Sequence, residues 1–508
     1  MAGRERMASM DAAWLQMEEP ANLMMITAVL WFDGAVDRER LREVVRERLV
    51  ERYPRFKQRV VSGALGSPHW EEAPDFQWDE HLSTLCVPAT AGRAGLEALV
   101  GDWLGVPLER SRPLWHLHLV KGAAGGDVLL ARLHHCMADG IALARVLLSL
   151  TDPVGHGSSE GARPEAGDAR AREDSRSGAG FEGARPETVD AGAREDSRSP
   201  PELRTASETE AAPPSRTPAR EAAPLLDSTP GWMRWARGAR AVLHKGAELV
   251  REPILAGDLV RDGARGAAAL GKLLVQPSDP SSPLRGPLGL RKVAAWSEPL
   301  PLERVKAVGR NLGGTVNDVL LTAVTGALRR YLSSLEAPLE DVHALVPVNL
   351  RPLDAPVPRE LGNRFGVVFL RLPIHLEDPR RRLREVAKRM EALKRSPEAV
   401  VTSSALELLG RTPAAVERVA VDVMGSKASL VATNVPGPRQ PVSLAGTRLE
   451  GLTFWVPQAG HVGLGISLFS YAGQVTVGVA SDASRVPEPG ALVAAFQDEL
   501  DALATTAP

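Results

Sequence analysis

Residues 127–150 read DVLLARLHHCMADGIALARVLLSL, and this stretch decides the interpretation of the whole chain. Its first part, residues 127–135, is mostly apolar and has the length of a β-strand, whereas residues 141–150 have the pattern of an apolar helix. The turn between them carries the motif HHxxxDG, whose fixed residues are His134, His135, Asp139 and Gly140. Such a turn presents polar side chains at the end of a buried strand, a common place for binding and catalytic groups.

Strand alternation places His135 on one face of the predicted strand, together with Leu129, Ala131 and Leu133. Since that face is wholly apolar, we expect His135 to point into the core. A lone buried histidine is usually a packing residue, but the aspartate four positions later and the turn-forming glycine after it favour a functional one. A neutral imidazole, with an ordinary pKa near ~6.5, is suited to removing a hydroxyl proton.

Cys136 suggests a second interpretation, in which a thiol beside the histidine acts as a nucleophile. Adjacent strand residues point to opposite faces, so His135 and Cys136 are expected to diverge, which disfavours covalent catalysis. The other cysteine is Cys86, and neither has the spacing of a metal ligand or of a disulfide framework. We therefore predict no metal site.

The composition of the 508-residue chain is that of a globular protein, with 44% hydrophobic and 24% charged residues. A net charge of −2 gives no reason to expect nucleic-acid binding. The scarcity of cysteine fits a reducing compartment, and no run approaches the ~20 apolar residues of a membrane span. We expect a cytoplasmic protein, whose contacts with membranes are at most peripheral.

The chain is predicted to divide into an N-terminal lobe, a linker, a helical crossover and a C-terminal lobe, at residues 1–151, 152–230, 231–289 and 290–508. The linker contains a tandem repeat, since residues 161–177 match residues 183–199 at 14 of 17 positions. A segment so poor in large apolar residues cannot bury enough surface to offset its ordering entropy. We therefore predict that the linker is disordered and joins two α/β lobes.

An alternation of strands and helices returns in the last part of the chain. The predicted strands are residues 344–347, 365–372, 430–434, 462–471 and 475–480. The predicted helices are residues 317–332, 379–394 and 489–503. Asp482, which follows the last strand, is expected to be a solvated turn residue.

Several short motifs, taken in order along the chain, make it resemble the bacterial wax ester synthase/diacylglycerol acyltransferase family, within the CoA-dependent acyltransferase superfamily. They are HHxxxDG, MDAAWL at 10–15, PLW at Pro113, Leu114 and Trp115, NDVL beginning Asn317-Asp318, VPVNLR at 346–351 and NVPGP at 434–438. The strand at 346–351 departs from the family's PVSLR pattern by an asparagine in place of serine. The linker has no counterpart among these motifs and looks like an insertion.

The resemblance implies a two-lobe, chloramphenicol acetyltransferase-like α/β fold with mixed sheets covered by helices. It implies an O-acyltransferase that moves a long-chain acyl group from acyl-CoA to diacylglycerol, a long-chain alcohol, or both. By resemblance His135 is the general base, His134 supports its position, and Asp139 and Gly140 hold the loop. No cofactor is implied, because acyl-CoA is a substrate. Asn317 is a candidate for the active-site wall or for contact with the oxyanion.

Other interpretations of these motifs stay open. Thr315-x-x-Asp318 also fits a capping box at the start of an apolar helix, which makes Asp318 a structural residue and gives Asn317 a rival role. Pro113, Leu114 and Trp115 suit packing, with Trp115 at a channel mouth as the alternative.

Two further questions concern membranes and activity. Residues 231–275 carry eight Lys/Arg against four Asp/Glu with two tryptophans. Three interpretations stay open: they pack on the lobes, they contact a membrane or lipid-droplet surface, or their basic side chains meet the phosphates of CoA. The competing functions are a catalytically silent lipid-binding protein and an acyltransferase with a carrier-bound donor. Retention of His135 and Asp139 disfavours the silent protein.

Overall fold

The computed structural model describes residues 4–63, 67–122, 125–154, 278–350, 358–396, 398–412, 414–458 and 460–505. The predicted disordered linker beyond residue 154 and the predicted crossover up to residue 277 lie outside the described residues, and both stay predictions. No helix in the described ranges is long and apolar enough to cross a membrane.

Most of the predicted elements are present, several with the expected bounds. In the described part of the chain the strands are β1 (Glu5–Arg6), β2 (Met25–Phe32), β3 (Gln58–Ser62), β4 (Pro68–Glu72), β5 (Leu82–Cys86), β6 (Trp115–Lys121), β7 (Val128–His134), β8 (Asp152–Pro153), β9 (Lys292–Trp296), β10 (Leu300–Pro301), β11 (Val342–Asn349), β12 (Phe365–Leu372), β13 (Leu430–Pro436), β14 (Val442–Leu444), β15 (Thr447–Trp455), β16 (Leu464–Tyr471) and β17 (Gln474–Asp482). The α-helices there are α1 (Ser9–Gln16), α2 (Arg38–Val44), α3 (Gly92–Leu104), α4 (Gly140–Leu148), α5 (Leu302–Leu312), α6 (Val316–Ser334), α7 (Pro379–Lys394), α8 (Glu398–Leu409), α9 (Ala414–Gly425) and α10 (Pro489–Thr505).

The first large sheet has seven strands in the order β5-β6-β7-β2-β15-β14-β8. β5 and β6 run parallel, whereas β6-β7, β7-β2 and β2-β15 are antiparallel pairs. Residues of β2 and β7 are buried along nearly their whole length, which explains why both strands have continuous apolar sequences instead of alternating ones.

The second large sheet has the order β9-β17-β16-β13-β11-β12, with β10 also paired to β17. β13 lies between two parallel partners, β11 and β16, and the remaining pairs are antiparallel. Both large sheets are therefore mixed, which confirms the predicted two-lobe fold class. A separate three-stranded sheet joins β1, β4 and β3.

The strands β14 and β15 belong to the first sheet, although the sequence analysis assigned all residues from 290 onward to the C-terminal lobe. β15 pairs antiparallel with β2 from Leu449–Phe32 to Trp455–Thr27, and β14 pairs with β8. The linker boundary is corrected too, because Asp152 and Pro153 are part of this sheet. Sequence periodicity predicts which side chains of a strand are buried but not which strand it pairs with. The pairing of β14 and β15 with the first sheet could therefore not be predicted from the sequence.

Two smaller predictions were wrong. The described end of the crossover, residues 278–289, contains turns and one isolated bridge but no helix. Asp482 is fully buried and forms an ion pair with Lys292, at 2.7 Å from its Nζ. Burial acts to raise the pKa of Asp482, but hydrogen bonds from Lys292 and Ser484 hold it below its ordinary value. Asp482 is thus a buried anchor between β17 and β9.

The edge strand β12 is covered by α8, whose side chains bond to the main chain of the strand. Thr402 Oγ1 accepts from the N–H of Val367 at 2.8 Å and donates to the Val367 carbonyl at 2.7 Å. A carboxylate oxygen of Glu398 accepts from the N–H of Phe369 at 2.8 Å. The exposed hydrogen-bonding edge that β12 would otherwise present is thereby closed.

This close approach of α8 requires glycine at position 366. A Cβ there would lie 1.8 Å from the main-chain oxygen of Ala399 in α8. We predict that Gly366→Ala lowers the free energy of unfolding by roughly 1–3 kcal/mol, the usual cost of overpacking. Urea unfolding followed by circular dichroism measures it.

Gly490→Ala is the control, because a Cβ at Gly490 would have no atom within 4 Å and the residue lies near the start of α10. Its free energy of unfolding should be unchanged or raised by up to about 1 kcal/mol. Equal stability of Gly366→Ala and wild type would mean that α8 is not seated against β12 as described.

Candidate active site

His135 follows the last residue of β7, an inner strand of the first sheet, and its main chain is hydrogen-bonded there to the neighbouring segment. His134 pairs with Met25 of β2, and the N–H of His135 then donates to the Met24 carbonyl at 2.7 Å. The His135 side chain is only 4% exposed, in agreement with the expected inward direction.

The imidazole of His135 lies against two aromatic rings. Trp14 of α1 stacks on it with ring centroids 4.0 Å apart and planes 25° apart. Phe365, at the start of β12, lies 5.5 Å from it in a tilted arrangement. These contacts remove water from the ring and restrict its rotation, and they come from parts of the chain more than three hundred residues apart.

Burial lowers the pKa of His135 to about 3. The interactions of the ring with the backbone of His135 itself and with Asn363 act in the opposite direction but do not outweigh it. His135 is therefore neutral at physiological pH, as a base requires. Its Nδ1 is enclosed and bonds to no other residue in the described ranges, so Nε2 is the nitrogen available to a ligand.

His134 is buried beside it and makes two hydrogen bonds. Its Nδ1 accepts from the N–H of Cys136 at 3.1 Å, so the proton lies on Nε2, which is 2.9 Å from a carboxylate oxygen of Glu18. Glu18 also binds Arg110. His134 thus fixes the turn after β7 to the segment that follows α1.

Asp139 and Gly140 form the start of α4. One carboxylate oxygen of Asp139 caps the helix by accepting from the N–H of Ala142 at 2.8 Å. The other accepts from the N–H of Arg364 at 3.1 Å. Gly140 is the first helical residue and has no positive φ, so it is not the turn glycine that we expected. Its lack of a Cβ matters because one would lie 3.0 Å from the Val456 side chain.

Cys136 is fully buried, and burial, together with the charges of Asp11 and Glu18, raises the pKa of its thiol well above the ordinary value. A thiol held in the protonated form is a poor nucleophile. This geometry argues against the covalent alternative.

His135, Asp139 and Gly140 line a cavity of about 90 Å³. Its walls come from both large sheets and from α1, α8 and α9, and they are mostly apolar. The polar residues on these walls are His135, Asp139, Asn349, Thr433 and Asn434. An apolar wall with a few polar groups is the composition of a site that binds part of an apolar ligand.

Asn317 lies behind Asn434, a residue of the cavity wall, and its role at the active site stays a prediction. Thr315 is the N-cap of α6 and forms the predicted capping box with the buried Asp318. Asn317 lies one residue before Asp318, and its Oδ1 accepts from Nδ2 of Asn434 at 2.8 Å. Asn434, from the NVPGP motif, is the residue that reaches the cavity.

Pro113, Leu114 and Trp115 are buried away from the cavity. Trp115 is 1% exposed, donates from Nε1 to the Phe56 carbonyl at 2.9 Å and stacks on His81 with centroids 4.5 Å apart. The motif therefore packs the first lobe, and Trp115 does not lie at a channel mouth.

Three residues around His135 were not predicted from the sequence: Trp14 and Asn363, which contact it, and Asp11, which bonds to Asn363. Trp14 and Asp11 belong to the MDAAWL motif, so the motif itself was a signal that we did not connect to the histidine. Asn363 follows a glycine in an otherwise unremarkable segment and gave no signal. All three are brought to His135 by tertiary contacts.

Two mixed sheets that enclose an apolar cavity, with a histidine at a strand end, give the chain the two-lobe fold of the chloramphenicol acetyltransferase-like and condensation-domain class. The model of the wax ester synthase/diacylglycerol acyltransferase catalytic domain matches residues 7–320, and that of the WS/DGAT C-terminal domain matches residues 361–504. The chain belongs to this family of acyl-CoA-dependent acyltransferases, as its motifs indicated.

Individual proteins agree with this assignment. A probable diacylglycerol O-acyltransferase of Mycobacterium tuberculosis is 27% identical over 505 residues, covering 97% of this chain and 94% of its own length. The solved wax ester synthase/diacylglycerol acyltransferase of Marinobacter aquaeolei VT8 has a TM-score of 0.63 at 20% identity, over 99% of both chains. The first condensation domain of the calcium-dependent antibiotic synthetase has a TM-score of 0.53 at 16% identity, over 99% of this chain and 96% of its own. The two solved structures agree in fold.

The lowered pKa of His135 predicts that its ring does not titrate between pH 8 and pH 5. A pKa of about 3 keeps the protonated form negligible throughout that range. The measurement is NMR of protein labelled at histidine, with the His135 signal assigned by its loss in His135→Ala. A midpoint near that of free histidine, measured in the same buffer, would contradict the burial of the ring.

The contact between Glu18 and His134 predicts a loss of stability in Glu18→Gln. Burial acts to raise the pKa of Glu18, but hydrogen bonds from His134 and Arg110 and the charge of Arg110 lower it to about 2. We expect the variant to lose about 1.5–3 kcal/mol of unfolding free energy at pH 7, typical of a hydrogen bond to a charged group.

The pH dependence of this loss has a definite sign. A carboxyl whose pKa is lowered on folding contributes full stability above its unfolded pKa of 4.5 and loses it as the pH falls towards about 2. The difference between wild type and Glu18→Gln in urea unfolding should therefore shrink below pH 4.5. Glu47→Gln, at an exposed site, is the control; a difference that stays constant down to pH 3 would refute the argument.

Proposed function

We propose that this protein transfers a long-chain acyl group from acyl-CoA to the hydroxyl of diacylglycerol, of a long-chain alcohol, or of both. The observation that carries the proposal is a neutral, buried His135 lining an apolar cavity between two sheets. The relatives named as diacylglycerol O-acyltransferases support diacylglycerol as an acceptor, and the family name supports alcohols as well.

In the proposed reaction His135 acts as general base through Nε2. It takes the hydroxyl proton while the alcohol oxygen bonds to the thioester carbon, which gives a tetrahedral oxyanion. The C–S bond then breaks, the ester carbonyl re-forms, and the imidazolium returns its proton to the departing CoA thiolate. Atoms and charges balance without an acyl-enzyme, and no cofactor enters the reaction. General-base assistance of this kind contributes roughly 10²–10⁴-fold.

The low pKa of His135 is compatible with this role. A protonated imidazole alone in an apolar cavity is unfavourable. In the proposed reaction it carries its charge only while the adjacent oxyanion or thiolate is negative, so a compensating charge is always within the same cavity.

The polar residues on the wall fit the oxygen atoms of the substrates. Asn434 is oriented by its hydrogen bond to Asn317, and Nδ2 has a second hydrogen to donate. Thr433 lines the same cavity, and its buried hydroxyl has no hydrogen-bond partner among the described residues. We assign these two side chains as candidate donors to the oxyanion or to the acceptor.

The apolar walls fit the hydrocarbon chains of both substrates. Because diacylglycerol and long-chain alcohols partition into lipid, the protein is expected to collect its acceptor at a membrane or lipid-droplet surface. Residues 231–275, the basic segment with two tryptophans, stay the candidate for that contact.

The experiment that tests the function is release of free thiol from palmitoyl-CoA by the purified chain, with hexadecanol, with dioleoylglycerol, or with neither. We predict acceptor-dependent release that falls by about 10²–10⁴-fold in His135→Ala. His461→Ala, at an exposed histidine, is the control and should retain full activity. Circular dichroism of each variant shows whether it is folded.

The other outcomes are also informative. Equal release with and without acceptor would indicate a thioesterase and contradict the proposal. Full acyl transfer by a folded His135→Ala would refute the mechanism. A lack of release under all conditions would favour a carrier-bound donor or a catalytically silent lipid-binding protein. The ratio of the two acceptors would then decide between wax ester and triacylglycerol synthesis for an active enzyme.

A further inference from the structure

Asn363 and Arg364, the two residues before β12, are hydrogen-bonded to both ends of the HHxxxDG motif. The side chain of Asn363 reaches the main-chain carbonyl of His135, and the N–H of Arg364 reaches the carboxylate of Asp139. The segment lies more than two hundred residues further along the chain. It therefore clamps the loop that carries His135 against the second half of the protein.

Asn363 connects three parts of the chain through its amide. Nδ2 donates to the His135 carbonyl at 2.8 Å and to Oδ1 of Asp11 at 2.8 Å. The main-chain N–H of Asn363 donates to the same Asp11 oxygen at 3.0 Å. Both hydrogens of the side-chain nitrogen are thus used. The carboxylate of Asp11 holds Asn363 at two points, its side-chain nitrogen and its main-chain nitrogen.

Neither Asp11 nor Asn363 lines the substrate cavity. They are 2% and 8% exposed. Burial raises the pKa of Asp11 to about 6, although the hydrogen bonds of Asn363 and the charge of Arg55 act to lower it; Asp139 acts to raise it. A buried carboxyl of this kind lowers the free energy of unfolding. Costly groups of this type occur mainly at functional sites.

The His135 carbonyl is the group through which Asn363 can control the ring. The hydrogen bond from Asn363 fixes this carbonyl, and with it the main chain from which the imidazole projects. The Oδ1 of Asn363 and the Nδ1 of His135 are both buried, and neither has a hydrogen-bond partner in the ranges described. These two atoms are complementary when Nδ1 carries the proton, which leaves the lone pair on Nε2.

The helix α1 contributes to this arrangement twice. Asp11 and Trp14 are three residues apart and therefore share one face of the helix. Trp14 stacks on the imidazole while Asp11 holds Asn363. One short helix thus restrains both the ring and the main chain of His135.

We propose that Asp11 and Asn363 are positioning residues, which act together to hold His135 in the orientation and tautomer that present the Nε2 lone pair to the substrate. Neither touches the reacting atoms. The proposal rests on the proposed function only in that His135 is taken as the base; its structural content can be measured without any substrate.

The first test is steady-state kinetics of palmitoyl-CoA with the preferred acceptor, for Asn363→Ala, Asp11→Ala and Asp11→Asn. We expect the two alanine variants to lose roughly 10–100-fold in kcat with KM for acyl-CoA nearly unchanged, since misplacing a base slows chemistry without removing a binding contact. Asp11→Asn should recover most of the activity, because an amide oxygen still accepts from Asn363.

Two controls separate positioning from general damage. Asn22→Ala removes another buried amide that bonds to a main-chain carbonyl, that of Gly460. Asp127→Asn alters another buried carboxylate, which accepts from the N–H of Val36. Neither control residue forms a hydrogen bond with His135. Both variants should keep kcat within about threefold of wild type, and thermal melting shows whether they are folded.

The second test is ¹⁵N NMR of histidine-labelled protein, with the His135 signals assigned by His135→Ala. We expect one tautomer in wild type, protonated at Nδ1, and a shift or splitting of both ring signals in Asn363→Ala. This measurement needs no turnover, so it decides the proposal even if the assay shows that the proposed function is wrong. An unchanged kcat, a loss equalled by the controls, or an unperturbed His135 signal in Asn363→Ala would each overturn it.

Discussion

The structure depends on the way in which the main chain of His135 is held at both of its polar atoms. Its N–H donates to Met24 of the neighbouring segment in the first sheet, and its carbonyl accepts from Asn363, which precedes an edge strand of the second sheet. Buried main-chain groups need partners, so these two bonds satisfy the residue while they fix it between the lobes. The sheets on either side must keep their relative position for the histidine to keep its own. Precision at the site is therefore a property of the whole described fold.

The same constraint accounts for the strands β14 and β15, which the second half of the chain contributes to the first sheet. β15 leaves the second half of the chain and pairs with β2, the strand directly next to β7. Thr453 of β15 bonds through its hydroxyl to Ser467 of β16 in the second sheet, at 3.1 Å between the two oxygens and away from solvent. The two sheets are thus joined at β15, and only β2 lies between this strand and β7. A hinge at this point would cost several buried hydrogen bonds at once.

Local pattern was enough to predict much of the fold. Continuous apolar runs and helical stripes located most long elements in the described ranges, and the bounds of β12 and α7 agree with the predicted ones. The capping box of α6 was also readable, since its residues are three apart in sequence. Pairing was not predictable in this way, as β15 shows. Asp482 was misjudged for the same reason: its partner Lys292 lies 190 positions earlier, and no local rule indicates that a carboxylate after a strand will be buried.

The same distinction applies to the candidate site. HHxxxDG identified the histidine because its chemistry is concentrated in seven consecutive residues. The groups that make this histidine neutral and fixed, Trp14, Phe365 and Asn363, come from distant parts of the chain. They meet His135 through contacts among described residues, in particular the pairing of β2 with β15 and the bond between Arg364 and Asp139. The motif requires a rigid surface in the second half of the chain that stays at a fixed distance from His135. The second mixed sheet, whose edge strand β12 is covered by α8, supplies that surface.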